Sequence, residues 1–350
     1  MKHTHTCILI YLCFLFGFPV FVSAQQNVNG KVVSIGFYNV ENLFDTINNV
    51  ELENNDEFTP SGKNNWTSSR YQEKISNMSF VISDMATDVN PDGLIILGVA
   101  EVENIGVLQD LVKEKSIRKR NYQIVHFDSP DERGIDVGLL YQPKYFRVTN
   151  SRCYNLIVSD TSYKTRNQLV VSGILGDEPI HIIVNHWPSR RGGEQSSSPF
   201  RNAAADLSRS IVDSLLATDR NAKVLVMGDL NDDPINESVI SHLKAKGDVI
   251  DLQPGDLFNP MFQHYNNGIG TLEYKGKWNL FDQIIISEGL LSQETSTWKF
   301  RDAVIFNKDY LKQNDGEYAG LPLRTFGGST YLNGYSDHFP VYVNLVKEAK

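Results

Sequence analysis

Eight short apolar runs constrain the fold of this chain more than any other feature. Each has five to eight residues, is rich in valine, isoleucine or tyrosine, and is bounded by turn-forming residues, which is typical of buried β-strands. The runs are KVVSIGFY (31–38), GLIILGVA (93–100), DVGLLY (136–141), LVVSGIL (169–175), IHIIV (180–184), KVLVM (223–227), DQIII (282–286) and FPVYVNLV (339–346). Because several neighbouring runs have no helical segment between them, they predict mixed β-sheets rather than a purely parallel one.

Two apolar stripes with helical spacing lie between these runs. Their members recur at three- and four-residue steps, and they are Tyr71, Ile75, Met78, Ile82 and Met85 in one stripe and Ala204, Leu207, Ile211 and Leu215, after Pro199, in the other. We interpret both as helices that face the core. The long polar segments 42–68 and 302–335 are predicted to be loops that border a functional site.

The first 24 residues have the features of a cleaved signal peptide. Lys2 precedes an apolar run from Cys7 to Val22, and Ala24 fits a signal-peptidase site. A membrane anchor is the alternative, but the run is short for a span and carries a glycine and a proline near its end. We therefore predict an exported protein, periplasmic or secreted, with no stable membrane anchor after cleavage, in which residues 25–350 form a single domain.

Cleavage would also set the cysteine content and the charge of the mature chain. Cys153 would be the one remaining cysteine, so no intrachain disulfide is possible and stability must come from the core. Lys2 is lost from the 33 basic residues and all 42 acidic residues remain, which gives a net charge of −10. Proteins that coat nucleic acid by charge alone are usually basic. Either the substrate is not a polyanion, or a metal ion and local basic patches offset the negative net charge of the protein.

Polar residues collect where the apolar runs stop. The side chains concerned are Asn39, Glu101, Asn185 with His186, and Asp229 with Asn231. Asp282 and the pair Asp337-His338 instead precede their runs. If those two strands run antiparallel to the others, the start of one strand and the end of its neighbour share a sheet edge. The pattern therefore predicts that all of these side chains face one cleft.

Such a cleft would hold oxygen ligands and two histidines. The oxygen ligands are Asn39, Glu101, Asp229, Asn231 and Asp337. They suit a hard cation such as Mg²⁺, Mn²⁺ or Ca²⁺, and the sequence has no cysteine pair or His-x-x-x-His spacing for a structural zinc site. His186 and His338 are suited to proton transfer near neutral pH, with Asp282 as a candidate partner. Together these groups are suited to the hydrolysis of phosphate esters.

Each of these short patterns also has a structural alternative. The segment GDLND (228–232) is also the composition of a turn with an Asx cap, and Asn185-His186 is also typical of a hydrogen-bonded loop pair. Asp233-Pro234 is predicted to begin a helix, with the aspartate as its cap. Asp232 is left without a role, and the basic run KEKSIRKR (113–120) is interpreted as a solvated helix end.

Taken in chain order, seven motifs resemble those of the endonuclease/exonuclease/phosphatase superfamily, which includes pancreatic deoxyribonuclease, exonuclease III and neutral sphingomyelinases. They are FYNVENLF, GVAEVEN, RGIDVGLLY, VNHWPSRRGG, MGDLNDDP, WNLFDQIIIS and GYSDHFPV, and they extend from about residue 31 to residue 346. Any one motif is unspecific, but seven in this order are specific. The resemblance is to a secreted bacterial member. It implies an α/β (α+β) four-layer sandwich, with two packed mixed β-sheets flanked by helices, and metal-dependent hydrolysis of phosphoesters.

The resemblance also implies roles for the acids and amides. Glu101 is similar to the principal metal-binding glutamate of the superfamily, with Asn39 and Asp337 completing the metal shell. Asp229 is similar to the aspartate that orients or deprotonates the attacking water, and Asn231 to its partner that holds the phosphate.

For the histidines, the resemblance implies that His338 contacts the scissile phosphate and is paired with Asp282. His186 is similar to the second histidine, a phosphate contact or general acid, and a looser match in RGIDVGLLY makes Asp136 its partner. Arg133 is either a phosphate contact or a surface arginine beside a turn. The implied mechanism is in-line attack of water on phosphorus.

The motifs also bear on the substrate class. The segment FDQI lacks the cysteine and arginine that inositol polyphosphate 5-phosphatases carry near this position, and the polar loops lack the apolar membrane contacts of sphingomyelinases. The stretch NHWPSRRGGE resembles secreted bacterial nucleases, where Arg190 and Arg191 would grip a second phosphate without reading bases. In EYKGKW (273–278), Tyr274 and Trp278 are candidates for stacking on a base, although the segment is equally typical of a hairpin with a glycine turn.

The sequence thus predicts a monomeric, metal-dependent nuclease that acts on nucleic acid without sequence specificity. A phosphatase or phosphodiesterase for small-molecule or lipid substrates is the alternative within the same chemistry. A non-catalytic exported binding protein is the alternative from another class, but such a protein has no need to keep mutually repelling carboxylates together.

Overall fold

Two mixed β-sheets packed against each other form the centre of the protein. The computed structural model describes residues 30–50, 52, 55–158 and 163–348. Its strands are β1 (Gly30–Leu43), β2 (Leu94–Val102), β3 (Gln123–His126), β4 (Asp136–Tyr141), β5 (Phe146–Tyr154), β6 (Gln168–Leu175), β7 (Glu178–His186), β8 (Val224–Asp229), β9 (Ala245–Lys246), β10 (Leu257–Phe258), β11 (Leu272–Tyr274), β12 (Lys277–Asn279), β13 (Asp282–Ser287), β14 (Lys299–Ile305), β15 (Phe326–Gly327), β16 (Thr330–Tyr331) and β17 (Val341–Glu348). The helices are α1 (Ser68–Asp84), α2 (Ile105–Lys113), α3 (Glu194–Thr218) and α4 (Met261–Asn266).

Both sheets combine parallel and antiparallel neighbours. The first has the strand order β14-β17-β1-β2-β4-β3, in which β1 is parallel to β2 and antiparallel to β17. The second has the order β5-β6-β7-β8-β13-β10-β9, in which β8 is parallel to β7 and antiparallel to β13. The predicted mixed sheets are confirmed, and so is the antiparallel direction expected for β13 and β17.

The larger apolar core lies between the two sheets and includes side chains from β1, β2, β8 and β13. Each fully buried aliphatic or aromatic side chain contributes about 1.5–3 kcal/mol to folding. The sheets approach closely at Gly98 of β2, where a Cβ atom would lie 2.8 Å from Met227 Sδ and 3.1 Å from Val184 Cγ1. Glycine at this position therefore lets β2 lie against β7 and β8.

Helices cover the outer faces of the sheets. The predicted stripe on α1 is confirmed, because Ile75, Met78 and Ile82 are buried in the core beside the first sheet. The stripe on α3 is confirmed as well, since it forms a second apolar cluster with β7, β8 and β13. This helix begins at Glu194, so Pro199 lies inside it. The result is the predicted four-layer order of helix, sheet, sheet and helix.

Two long segments lie at the end of the sheets where β1 and β2 finish and β17 begins. The first connects β1 to α1, and the second connects β14 to β17. They meet where the ring of Trp66 contacts that of Phe326, with centroids 6.0 Å apart. The predicted loop 302–335 is not wholly irregular, because it includes the end of β14 and the β15–β16 hairpin.

The predicted signal peptide, residues 1–24, lies outside the described residues, and its cleavage stays a prediction. Over the part of the chain that the structure describes, no helix is both long and apolar enough to span a membrane. Cys153 on β5 is a half-buried free thiol.

Candidate active site

The register of the second sheet places three predicted site residues side by side. β8 lies between β7 and β13, and Asp229 is paired with His186 on one side and with Asp282 on the other. In the first sheet, Asn39 lies in the last third of β1 and is paired with Ala100 of the parallel β2, next to Glu101, and β17 begins opposite Phe37. The topology thus brings the polar strand ends together, as the sequence pattern predicts.

Left-handed backbone conformations aim several of these side chains. Positive φ angles occur at Glu41 (49°), Asn42 (50°), Glu101 (63°) and Asn231 (50°). Such conformations are uncommon for residues other than glycine and cluster at functional sites. They occur here where β1, β2 and β8 leave the regular strand geometry.

Asp229 lies at the centre of the cluster. Its Oδ2 accepts a hydrogen bond from Asn39 Nδ2 at 3.0 Å and lies 3.6 Å from His186 Nε2 and 3.9 Å from His338 Nε2. Its Oδ1 accepts the backbone N–H of Asn231 at 3.0 Å. Burial, with repulsion from neighbouring carboxylates, raises the pKa of Asp229 to about 6 even though His338 opposes the shift. A carboxylate of this kind is suited to accept a proton near neutral pH.

His338 is held by the buried Asp282. The distance from His338 Nδ1 to Asp282 Oδ2 is 2.7 Å, so the predicted pairing is confirmed. Burial alone would lower the pKa of His338, but Asp282, Asp229 and Asp337 together raise it well above its usual value. These carboxylates therefore favour the protonated form of His338.

His186 has the opposite electrostatic environment. Its Nε2 lies 3.6 Å from Asp229 Oδ2 and 4.0 Å from Glu101 Oε1. Burial, reinforced by the charges of Arg166 and Arg133, lowers the pKa of His186 well below its usual value. The site thus combines two histidines whose pKa values are shifted in opposite directions, on either side of a single carboxylate.

The prediction that Asp136 orients His186 is wrong. Asp136 Oδ2 lies 3.0 Å from His126 Nε2, and its Oδ1 accepts hydrogen bonds from Ser129 N at 2.8 Å and Ser129 Oγ at 2.5 Å. These groups occupy the carboxylate because β3 pairs with β4 and brings His126 alongside it. Among the described residues, His186 Nδ1 has no hydrogen-bond partner, although it is buried.

Glu101 is fixed by a backbone amide and by an arginine. Its Oε2 accepts the N–H of Asn42 at 3.0 Å and lies 3.5 Å from Arg133 Nη2, which also donates to Asn42 Oδ1 at 2.5 Å. Burial opposes ionisation, but Arg133 and His338 lower the pKa of Glu101 below its usual value. Arg133 therefore belongs to the cluster and is not merely a surface residue beside a turn; its contact with phosphate stays a prediction.

Three further charged residues complete the cluster, and sequence reasoning missed them. Arg324 Nη2 lies 2.8 Å from Asp337 Oδ2, and Arg324 Nε lies 3.5 Å from Glu41 Oε1. Lys74 Nζ, which is fully buried, lies 3.9 Å from Glu41 Oε2. Burial and Asp337 raise the pKa of Glu41 to about 7, and Lys74 limits that shift. The available signals were a glutamate inside FYNVENLF and a lysine inside the α1 segment.

Arg190 is committed to the fold. Its Nε donates to Asn231 O at 2.9 Å, its Nη2 to Asp232 Oδ1 at 3.0 Å, and its guanidinium lies 4.5 Å above the Phe281 ring. These contacts give Asp232 a structural role and leave Arg190 few donors for the second phosphate that it was predicted to grip. Arg191 is exposed and forms no hydrogen bond or ion pair with the described residues, so its phosphate contact stays a prediction.

The helix start predicted at Asp233-Pro234 is wrong. Asp233 Oδ1 accepts the backbone N–H of Leu280 at 2.8 Å and so ties two loops together instead of capping a helix. The next helical element along the chain is a short π-helical segment, Ser238–His242. The neighbouring Asn231 donates from Nδ2 to Trp187 O at 2.9 Å, which leaves its Oδ1 for the site.

The segment EYKGKW forms a hairpin, the structural alternative that its sequence allows. β11 and β12 pair through a turn in which Lys275 and Gly276 both have positive φ. Trp278 stacks on Phe339 with ring centroids 6.0 Å apart, so its ring packs against the protein. Tyr274 is 63% exposed, and stacking on a base stays a prediction for it.

The chemistry of the donor set suits a divalent cation. Glu101, Asn39 and Asp337, the predicted ligands, offer carboxylate and amide oxygens, which Mg²⁺ and Ca²⁺ prefer. The raised pKa values of Asp229 and Glu41 reflect carboxylates that are close together and buried. Ligand atoms of Asp229, Asp282 and His338 also lie within 4.8 Å of one another, which is close enough to hold a metal ion. Asp282 Oδ2 is already hydrogen-bonded to His338 Nδ1, however, so these two atoms are engaged with each other.

Fold and site together define a phosphoester hydrolase of the two-sheet sandwich type. Residues 34–347 match the model of the Endonuclease/Exonuclease/phosphatase family, and the chain belongs to this family. The enzymes that give the family its name all hydrolyse phosphate esters.

Solved structures with a similar fold include enzymes with different substrates. D. rerio TDP2 complexed with a single-strand DNA product has a TM-score of 0.54 and 12% identity, with 90% of this chain and 98% of that chain covered. A mannosyl-6-phosphatase of Bacteroides thetaiotaomicron has a TM-score of 0.53 and 14% identity, with 89% and 99% covered. Identities this low establish a common fold alone. A sequence search of curated proteins finds no match.

Proposed function

We propose that the protein is an exported, divalent-metal-dependent phosphodiesterase that hydrolyses nucleic acid without reading its sequence. One observation carries the hydrolytic part of this proposal: His186 Nε2 and His338 Nε2 lie 3.6 Å and 3.9 Å from Asp229 Oδ2, in surroundings that shift the pKa values of the two histidines in opposite directions. Groups whose environments drive their pKa values apart are typical of acid–base catalysis.

Each group has a part in the mechanism. Asp229 accepts a proton from the attacking water, and the hydrogen bond from Asn39 Nδ2 holds its Oδ2 in place. His338, kept positive by Asp282, stabilises negative charge that develops on the phosphoryl oxygens. His186 is neutral and therefore acts as a hydrogen-bonding contact to the phosphate rather than as a general acid. Glu101, Asn39 and Asp337 would hold Mg²⁺, or Mn²⁺ or Ca²⁺, which neutralises phosphate charge when bound.

Cations around the site support a polyanionic substrate in spite of the acidic chain. Arg133 and Arg324 are each 46% exposed and lie beside the acidic cluster, and Arg191 is exposed near the end of β7. Local positive charge of this kind attracts phosphate backbones.

A lipid phosphodiesterase is the second candidate, favoured by one observation. Ile47 and Val50, on the loop that follows β1, are 74% and 86% exposed. Exposed apolar side chains on a surface loop are suited to contact with a membrane surface.

The test is hydrolysis by the purified protein of residues 25–350 with Mg²⁺, Mn²⁺ or Ca²⁺. The substrates are plasmid DNA, RNA, sphingomyelin vesicles and bis(p-nitrophenyl) phosphate. We expect cleavage of nucleic acid that EDTA abolishes and that the Asp229→Asn variant lacks. Turnover of sphingomyelin alone would favour the second candidate, and no turnover of any substrate would favour a binding protein. Export is tested separately, since the N-terminal sequence of the exported protein is expected to begin at Gln25.

A further inference from the structure

A cleft between the two long loops adjoins the active site. It has a volume of about 390 Å³, and its walls include Asn42, Lys63, Asn64, Arg324 and Phe326. Asn42 donates its backbone N–H to Glu101 Oε2 at 3.0 Å, and Arg324 holds Asp337 at 2.8 Å. Two residues of the cleft wall thus also hold two predicted metal ligands, Glu101 and Asp337, so the cleft adjoins the predicted metal site.

The cleft is preformed. Lys74 Nζ donates to Thr325 Oγ1 at 2.7 Å and to Tyr335 O at 2.5 Å, which ties the second loop to α1. Glu41 Oε2 accepts the N–H of Thr325 at 2.7 Å and ties the same loop to β1. On the other wall, Trp66 Nε1 donates to Phe44 O at 3.0 Å. Binding in a cleft built this way does not require the loops to become ordered first.

The size and charge of the cleft restrict its occupant. Its volume lies at the lower end of the range of about 300–1,000 Å³ for small-molecule pockets, which suits one ring with its substituents and not a duplex. Its two lining cations are already paired within the protein, since Lys63 Nζ lies 3.2 Å from Glu57 Oε1 and Arg324 Nη2 lies 2.8 Å from Asp337 Oδ2. A neutral occupant is therefore favoured over a second phosphate.

The polar groups of the cleft suit hydroxyl groups. The side-chain amide of Asn64 forms no hydrogen bond with the described residues, and it can both donate and accept. The half-buried rings of Phe58 and Phe326 add apolar surface. Amides together with aromatic edges bind rings that carry both hydroxyl groups and C–H faces.

A larger concave region, of about 1,340 Å³, is lined by Lys31 at the start of β1 and Lys347 at the end of β17. Both positions are at the opposite end of these strands from Asn39 and His338. A substrate group bound there would be far from the reacting phosphate.

We propose that the cleft between the loops binds the sugar ring whose phosphate ester the enzyme hydrolyses. The inference rests on the proposed function, and it names the chemical class of the group next to the scissile bond. That sugar belongs either to a nucleotide within a polynucleotide or to a free sugar phosphate, since both present the same hydroxylated ring.

The test is the Asn64→Trp variant, which fills the cleft and leaves the backbone bonds of residue 64 in place. For wild type and variant, kcat/KM is measured on an oligonucleotide, on a hexose 6-phosphate and on bis(p-nitrophenyl) phosphate, which has no sugar. We expect the ratio of kcat/KM for the sugar ester to that for bis(p-nitrophenyl) phosphate to fall about tenfold, which corresponds to about 1.4 kcal/mol. The substrate whose ratio falls identifies the source of the sugar. The Asn64→Ala variant has a smaller side chain, so it cannot distort the cleft by steric clashes. It should lower the same ratio by about threefold, as expected for the loss of one hydrogen bond.

The control is Lys115→Ala, an exposed residue after α2, which should leave all rates unchanged. Equal changes on all substrates in both Asn64 variants, or no change in either, would overturn the proposed cleft. Failure of phosphoester hydrolysis as a whole looks different, because wild type would then hydrolyse none of the three substrates, whereas hydrolysis of the hexose 6-phosphate alone would refute the nuclease and not the cleft. If none of the three is hydrolysed, binding of a nucleoside monophosphate, a hexose 6-phosphate and inorganic phosphate is compared by calorimetry. Tighter binding of a sugar ester than of phosphate, weakened by Asn64→Trp, would still support the cleft, and equal binding would refute it.

Discussion

Replacement of Asp282 by asparagine tests the electrostatic reasoning most directly. The change preserves the size of a fully buried side chain and removes the charge that faces His338 Nδ1 at 2.7 Å. Because Asp282 contributes to the raised pKa of His338, the variant histidine loses part of its positive charge. Less charge then stabilises the phosphoryl oxygens in the transition state.

The expected size follows from the kind of bond that is lost. A hydrogen bond to a charged partner contributes about 1.5–3 kcal/mol, compared with about 1 kcal/mol for a neutral one. If this difference of about 0.5–2 kcal/mol is expressed in the transition state, kcat falls by about 2- to 30-fold, at about 1.36 kcal/mol for each factor of ten. The assay is hydrolysis of bis(p-nitrophenyl) phosphate with saturating divalent metal, together with urea unfolding of the same samples.

Asp136 provides the matched control, since it too is a buried aspartate paired with a histidine, at 3.0 Å from His126 Nε2. Asp136→Asn should lose about 1–3 kcal/mol of unfolding free energy, because three hydrogen bonds end on its carboxylate. Its kcat should stay within about threefold of wild type, because its partner is not a histidine of the cluster. A kcat near wild type for Asp282→Asn, or a larger loss of kcat for Asp136→Asn, would refute the assignment.

Three further predictions concern other charged groups. The pKa of Glu178 is lowered to about 2, because Lys347 and neighbouring donors outweigh the effect of burial. The stabilisation that Glu178 contributes is therefore present above its ordinary pKa of 4.5 and is lost as the pH falls towards 2. Glu178→Gln should reduce the pH dependence of the urea-measured unfolding free energy between pH 4.5 and pH 2, and an unchanged pH dependence would contradict this. Lys74→Met should cost about 1–3 kcal/mol in urea unfolding, because Thr325 Oγ1 and Tyr335 O would lose their buried donor, and an unchanged unfolding free energy would contradict these two hydrogen bonds. Arg324 would still face Glu41, so no carboxylate is left without a cation. Glu101→Ala should keep the circular dichroism spectrum of the wild type but bind metal more weakly in calorimetry, and its kcat should fall by at least about 100-fold. Turnover near that of the wild type would show that Glu101 is not a metal ligand.

The strands, the two core-facing helices and the place of the main site residues were predictable from the sequence because local patterns encode them. Apolar runs with turn residues at their ends define β-strands, and the side chain that follows a strand must lie at the edge of the sheet. Asn39, Glu101 and Asp229 were found in this way. Asp282 and His338 followed from the additional inference that their strands run in the opposite direction.

Only the tertiary structure decided which charged groups became partners. Asp136 bonds His126 rather than His186 because strand pairing places β3 beside β4. Glu41, Lys74 and Arg324 come from β1, α1 and a loop near the C-terminus, and no local period connects them. The opposite pKa shifts of His186 and His338 depend on burial and on charges from several strands. The sequence alone therefore determined where the reactive side chains lie along the strands. Packing determined the pKa shifts of these side chains, because electrostatic energies depend on distances and burial that only the folded chain defines.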